Sequence, residues 1–140
     1  MARASILEVG HALELLRTRS LVLRTAGYQV IEETDVKRAL SIAQSDQIDM
    51  VLLCHSLNRK EATWLTRMLR EERSLLPIVC VVNNPTDEIP SGCWSTTSSP
   101  DEVLGTLEEI LQQPPTARGI PGYRVAPPRP NAAKKNPNAT

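Results

Sequence analysis

DMVLLCH (49–55) decides the reading of this chain, because Met50, Val51, Leu52, Leu53 and Cys54 form five consecutive apolar residues. An uninterrupted apolar run of that length is expected of a central parallel strand covered on both faces. Upstream, DVKRALSIAQ places Val36, Ala39, Leu40 and Ala43 on one stripe of a helix, with Thr34 as its expected N-cap. YQVIEE before it reads as a β-branched strand, and HALELLRTRSLVLRTAG carries Leu13, Leu16, Leu23 and Ala26 at helical spacing up to a stop at Gly27. The short apolar segment from Ala4 to Val9 supplies a first strand. Downstream, residues Arg59 to Arg73 set Ala62, Leu65, Met68 and Leu69 on one side of a third helix, and LLPIVCVVN gives a fourth strand from about Pro77 to Val82.

After Asn83 the alternation falters. NNPTDEIPSG is rich in turn formers and interrupted by Pro85 and Pro90, which leaves no room for a helix of ordinary length, so the fourth helix is expected to be short or absent. CWST can form a brief fifth strand. Ser99, Pro100, Asp101 and Glu102 then read as an N-cap, a proline at the first helical position and an acid able to complete a capping box. The last helix runs through Val103, Leu104, Leu107, Ile110 and Leu111 to about Gln113, where Pro114 and Pro115 end it. Strands alternating with helices imply an α/β fold: a five-stranded parallel sheet, doubly wound, of flavodoxin-like order 2-1-3-4-5. In such sheets ligands bind beyond the carboxyl ends of the strands near the switch point, which directs attention to Gly10, His11, Cys54, His55 and Ser56.

With 140 residues and 41% of them hydrophobic, the chain suits one compact domain, assigned to residues 1–113, followed by a tail over 114–140. The net charge of zero conceals a division, since the first segment carries −5 and the second +5 with no acid at all. Seven of the eleven prolines also fall in the tail, which predicts a disordered extension. Its spaced basic residues lack aromatic interleaving, so no nucleic-acid partner is expected. No apolar run is long enough to span a bilayer and no cleavable leader pattern is legible, so no membrane association and a cytoplasmic location are expected. Cys54, Cys80 and Cys93 show no paired or zinc-finger spacing and read as reduced thiols.

ILEVGHALELLRTRSLVLRTAGYQVIEETDVKRALSIAQSDQIDMVLLCHSLN resembles the receiver domain of bacterial response regulators in its cadence of helix, AGY-V, strand, A-L and D-x-V-L-L. PIVCVVN is similar to the fourth receiver strand and SSPDEVLGTLEEIL to the last receiver helix, so the likeness extends over about residues 4 to 112. The resemblance implies two-component signal transduction, a phosphorelay, and a magnesium ion held by an acidic pair beside a phosphoacceptor aspartate. The signature positions depart from that pattern. Gly10 and His11 stand where the acidic pair belongs, Cys54 where the phosphoacceptor does, Val82 at the switch hydroxyl and Thr96 at the lysine. Phosphoryl transfer to an aspartate needs a carboxylate, a hard cation on oxygen ligands and a cationic group, and these positions offer none. Glu8 is the nearest acid; two residues before the pair, it is expected on the strand as a partly exposed or locally paired residue.

These departures point to a stand-alone, degenerate receiver, not an enzyme and without cofactor or metal, that binds a protein partner without phosphorylation. Such a pseudo-receiver could use the open face left near strands four and five. An alternative is a scaffold or competitor binding a histidine kinase or another regulator through the first helix. A second is a small redox or metal enzyme centred on Cys54 and His11, which requires a thiolate of lowered pKa. Strand alternation sends Cys54 and His55 to opposite sides, so they are not expected to share an ion. Trp64 reads as helix packing, whereas Trp94, beside the shortened connection, is a candidate interface residue.

Overall fold

The computed structural model describes residues 3–45, 47–84 and 86–119. Five parallel strands, β1 (Ser5–Val9), β2 (Gln29–Glu33), β3 (Met50–Leu53), β4 (Ile78–Val82) and β5 (Trp94–Thr97), form one sheet of order β2-β1-β3-β4-β5. The helices are α1 (Leu13–Thr25), α2 (Val36–Ala43), α3 (Arg59–Glu72) and α4 (Pro100–Gln112). Strand β3 is buried at every position and pairs with β1 and β4, as its apolar run requires. Alternation along the strands then divides the core. Leu7, Val9, Val51, Leu53 and Ile78 meet α2 and α3 on one face, while Ile6, Met50, Leu52, Val79 and Val81 meet α1 and α4 on the other.

The helix boundaries follow local chemistry. Gly27 has a φ of 101°, which it adopts without the steric cost a side chain brings, and its N–H closes α1 on the Arg24 carbonyl at 2.9 Å. Helix α3 starts with a complete capping box: the Asn58 side chain accepts from the Glu61 N–H, and the Glu61 carboxylate accepts from the Asn58 N–H. Two caps differ from expectation. Asp35, not Thr34, caps α2, since its carboxylate reaches the N–H of Lys37 at 2.9 Å, while the Thr34 backbone N–H donates to the Glu33 carboxylate at 3.0 Å. Ser99 does occupy the N-cap of α4, but its hydroxyl makes no capping bond and Glu102 accepts from Thr97 instead.

Among the described residues no helix lies between β4 and β5. The connection is held by side chains: Asp87 accepts from the N–H groups of Asn83 and Asn84, Glu88 pairs with Arg59, and Arg70 donates to the carbonyls of Leu76 and Gly92. Arg70 on α3 thereby ties the chain just before β4 to the end of the connection.

Packing continues past the boundary expected at Gln113. Residues 115–117 form a 3-10 turn with Ala117 buried, and Gly119 presses so closely on Ser74 and Leu75 that an added Cβ would lie 2.6 Å from backbone atoms. Arg118 anchors this strap by donating to the carbonyls of Gln113 and Leu111, both at 2.9 Å. Two prolines end α4, as expected, without ending the packed body. The remainder of the expected tail, 120–140, lies outside the described residues. Trp94, the candidate interface residue, meets the strap: its indole is 8% exposed, packs with Val79 and Leu107, and donates its N–H to the Arg118 carbonyl.

Candidate functional site

The carboxyl ends of β1 and β3 bring Gly10, His11, Cys54 and Ser56 together. Parallel pairing sets Cys54 N–H on the Val9 carbonyl at 2.8 Å, so Gly10 faces the next turn of chain at close range. An added Cβ at Gly10 would lie 2.8 Å from both Cys54 Cβ and Ser56 Oγ. Any larger residue there requires the two loops to separate. Ser56 Oγ fastens them, accepting from the N–H of His11 at 2.9 Å and of Ala12 at 3.4 Å.

His11 and Cys54 do not act as a pair. The imidazole Nε2 of His11 turns to Glu61, 2.8 and 2.9 Å from its two carboxylate oxygens. Partial burial works to raise the Glu61 pKa, but the Asn58 N–H and His11 outweigh it and hold the carboxyl below its ordinary value. Cys54 points the opposite way, accepting from Arg19 Nη1 at 3.0 Å, and burial pushes its thiol up to about 12. A thiol so raised is mostly protonated at neutral pH, and with His11 turned to Glu61 the two side chains do not form the pair that the redox or metal reading needs.

Beneath these loops lies a polar cluster that the sequence did not reveal. Glu8 is fully buried, rather than partly exposed, because β1 is an inner strand with helices over both faces. Its carboxylate accepts from Ser20 Oγ at 2.6 Å and lies 3.6 Å from Arg19 Nη1, with Cys54 Sγ 4.0 Å away. Burial raises the Glu8 pKa to about 7 against the pull of Ser20 and Arg19, and the charge of Glu32 adds to the rise. The available signal was helical spacing: Leu16, Ser20 and Leu23 share the buried face of α1, and Arg19 borders it.

Val82 and Thr96 sit farther along the same edge. Val82 shares with Cys54 and Cys80 a cavity of about 440 Å³ beside α3, rimmed by His55 and by the Arg59–Glu88 pair. Thr96 is buried on β5 and donates to the neighbouring Thr97 carbonyl at 3.3 Å; it meets Val82 across a second cavity of about 340 Å³. The five positions thus lie along one edge, with only Gly10, His11 and Cys54 in immediate contact around Ser56.

No family model and no curated protein sequence matches the chain. Solved structures do. The chain is similar to the chemotaxis response regulator CheY4 of Vibrio cholerae, with a TM-score of 0.64 and 20% identity over 76% of this chain and 97% of that one. It is similar to a CheY-like response regulator receiver domain protein of Methanospirillum hungatei, with a TM-score of 0.65 and 18% identity over 77% and 93%. A third likeness is to the receiver domain of the hybrid histidine kinase CckA, with a TM-score of 0.59 and 22% identity over 78% and 97%. The fold is therefore that of response regulator receiver domains, from β1 through α4. No helix among the described residues is long and apolar enough to cross a membrane.

Proposed function

We propose that this chain is a degenerate receiver that signals by binding a protein partner, without accepting a phosphoryl group. The observation that carries the reading is the packing at Gly10: its backbone is pressed against Cys54 and Ser56, where a carboxylate side chain has no room. The residues at this edge also do not fit a magnesium ion. Such a cation takes oxygen ligands in near-octahedral array, whereas Gly10 brings no side chain, Cys54 a protonated thiol and His11 an imidazole already engaged by Glu61. The two carboxylates at hand are engaged, Glu61 by His11 and the Asn58 N–H, and Glu8 by Ser20 with Arg19 and Cys54 around it.

The test is an amide NMR spectrum titrated with magnesium and then with beryllofluoride, a mimic of aspartyl phosphate. Resonances of Gly10, Cys54 and Val82 are expected to stay in place. Saturable shifts there would overturn the proposal and make Glu8 the first residue to substitute.

A second reading, in which the chain competes for a histidine kinase or regulator through its first helix, is favoured by the surface of α1. Leu13, Leu15 and Leu21 are 38, 43 and 66% exposed on one helix of a small domain, more apolar area than its solvent face needs. Leu21→Glu and Leu15→Glu would then abolish capture of a purified kinase phosphotransfer domain while leaving the fold unchanged; undiminished capture would exclude this surface.

A further inference from the structure

Between α1 and the start of α4 lies a cavity of about 310 Å³, walled by Leu15, Val22, Pro100 and Val103, with Arg19 and His55 at its polar end. We propose that it is a binding site for a small monocarboxylate with a short aliphatic chain, whose anionic group is taken by Arg19. The inference goes beyond the signalling role and does not depend on any protein partner.

Arg19 carries the argument. Its side chain is only 9% exposed, so its charge has left bulk water and requires compensation from nearby groups. The structure supplies part of it. Nη1 donates to Cys54 Sγ at 3.0 Å and pairs with Glu8 Oε2 at 3.6 Å, while no described partner engages Nη2 or Nε, neither of which is sealed in the interior. A guanidinium has five N–H donors in a planar fork suited to a carboxylate, and most of them remain available here. Glu8 is an incomplete counter-ion for a further reason, since burial favours its protonated form up to about pH 7.

The rest of the cavity fixes the ligand class. Thr18 and Ser98 line it as well; the Thr18 hydroxyl is spent on the Glu14 carbonyl at 2.9 Å, which leaves the Ser98 hydroxyl to serve the second carboxylate oxygen. Asp101 and Glu102 in the first turn of α4 already complement that helix end, so the anion is left to Arg19. The four apolar residues opposite would cover a chain of a few methylenes, each worth about 0.8 kcal/mol when removed from water. A dicarboxylate or a phosphate ester would place a second charge against Leu15 and Val103, which the site does not compensate.

The experiment uses hexanoate and hexylammonium, equal in length and opposite in charge, titrated into the full chain and followed through the methyl resonances of Leu15, Val22 and Val103 and the side-chain Nε–H of Arg19. Hexanoate is expected to produce saturable shifts at all four, with hexylammonium at least about tenfold weaker. Equal responses would overturn the proposal by showing an apolar crevice without charge preference, and the absence of saturation by hexanoate would overturn it outright. Arg19→Gln is expected to remove the preference. Should that variant fold poorly with Glu8 left beside it, Ser98→Ala keeps the buried charge and is expected to weaken hexanoate alone. An unchanged hexanoate response in a folded Arg19→Gln chain would also overturn the assignment.

Discussion

The indole N–H of Trp94, on the edge strand of the sheet, donates to the main-chain carbonyl of Arg118 at 2.8 Å, so the segment after the last helix completes the core beside β5. Ending the chain at Gln113 leaves that N–H buried without a partner, or exposes the ring. The expected loss relative to a chain ending at Gly119 is about 1–3 kcal/mol, read as a lower urea midpoint with the slope nearly unchanged. Equal midpoints would show that the strap contributes nothing to the body.

Glu8 gives the stability a definite pH dependence. Its carboxyl titrates near 7 in the folded chain against an ordinary value of 4.5, so between those values the folded state holds the greater share of protons. Stability from this group is therefore full at low pH, falls as pH rises from about 4.5 and levels off above about 7. Glu8→Gln imitates the protonated form. Its advantage over the parent is expected to be near zero at pH 4.5 and to grow to about 3 kcal/mol at pH 8. Parallel stability profiles for the two chains would contradict this assignment.

Gly10 should tolerate nothing larger. Gly10→Ala places a Cβ 2.8 Å from Cys54 Cβ and Ser56 Oγ, and pushing the two loops apart costs about 1–3 kcal/mol, measurable as a fall in Tm. Restoring acids with Gly10→Asp and Cys54→Asp together is expected to lower stability further without creating magnesium binding. A double variant whose Tm rises with added magnesium would refute that expectation.

The Tyr28 hydroxyl is buried without a hydrogen-bond partner among the described residues, while its ring lies 4.9 Å under the Arg3 guanidinium. Removing the oxygen relieves a desolvated polar group and keeps the ring contact. Tyr28→Phe is expected to be neutral or to stabilise by up to about 1 kcal/mol in thermal melts; a clear loss would reveal an unrecognised partner for the hydroxyl.

Much of this architecture was legible from residue patterns, because it rests on periodicity. The apolar run at Met50–Leu53, the stop at Gly27 and the proline-broken stretch after Asn83 each encode a local event with a direct structural outcome. The edge containing Gly10, His11 and Cys54 was legible for the same reason, since strand ends fix where loops meet. What escaped depended on contacts distant along the chain. Burial of Glu8 is decided by its two neighbouring strands, and its Arg19 partner comes from the following helix. The packing of Trp94 against residues 114–119 escaped because composition marked that segment as tail, whereas a single glycine at 119 permits the approach to Leu75 that seats it. Capping followed the side chain that reaches an N–H, which at α2 was Asp35 instead of its neighbour.

The strap has a bearing on how the molecule can be handled. Gly119 rests on Ser74 and Leu75, just ahead of β4, whereas Gly10, Cys54 and the Arg19 cavity lie where strands finish. The two regions occupy opposite poles. A dye, surface linker or fused reporter joined immediately after Gly119 would therefore emerge away from the ligand-facing pole and leave it unobstructed, while the same attachment near His11 would cover it.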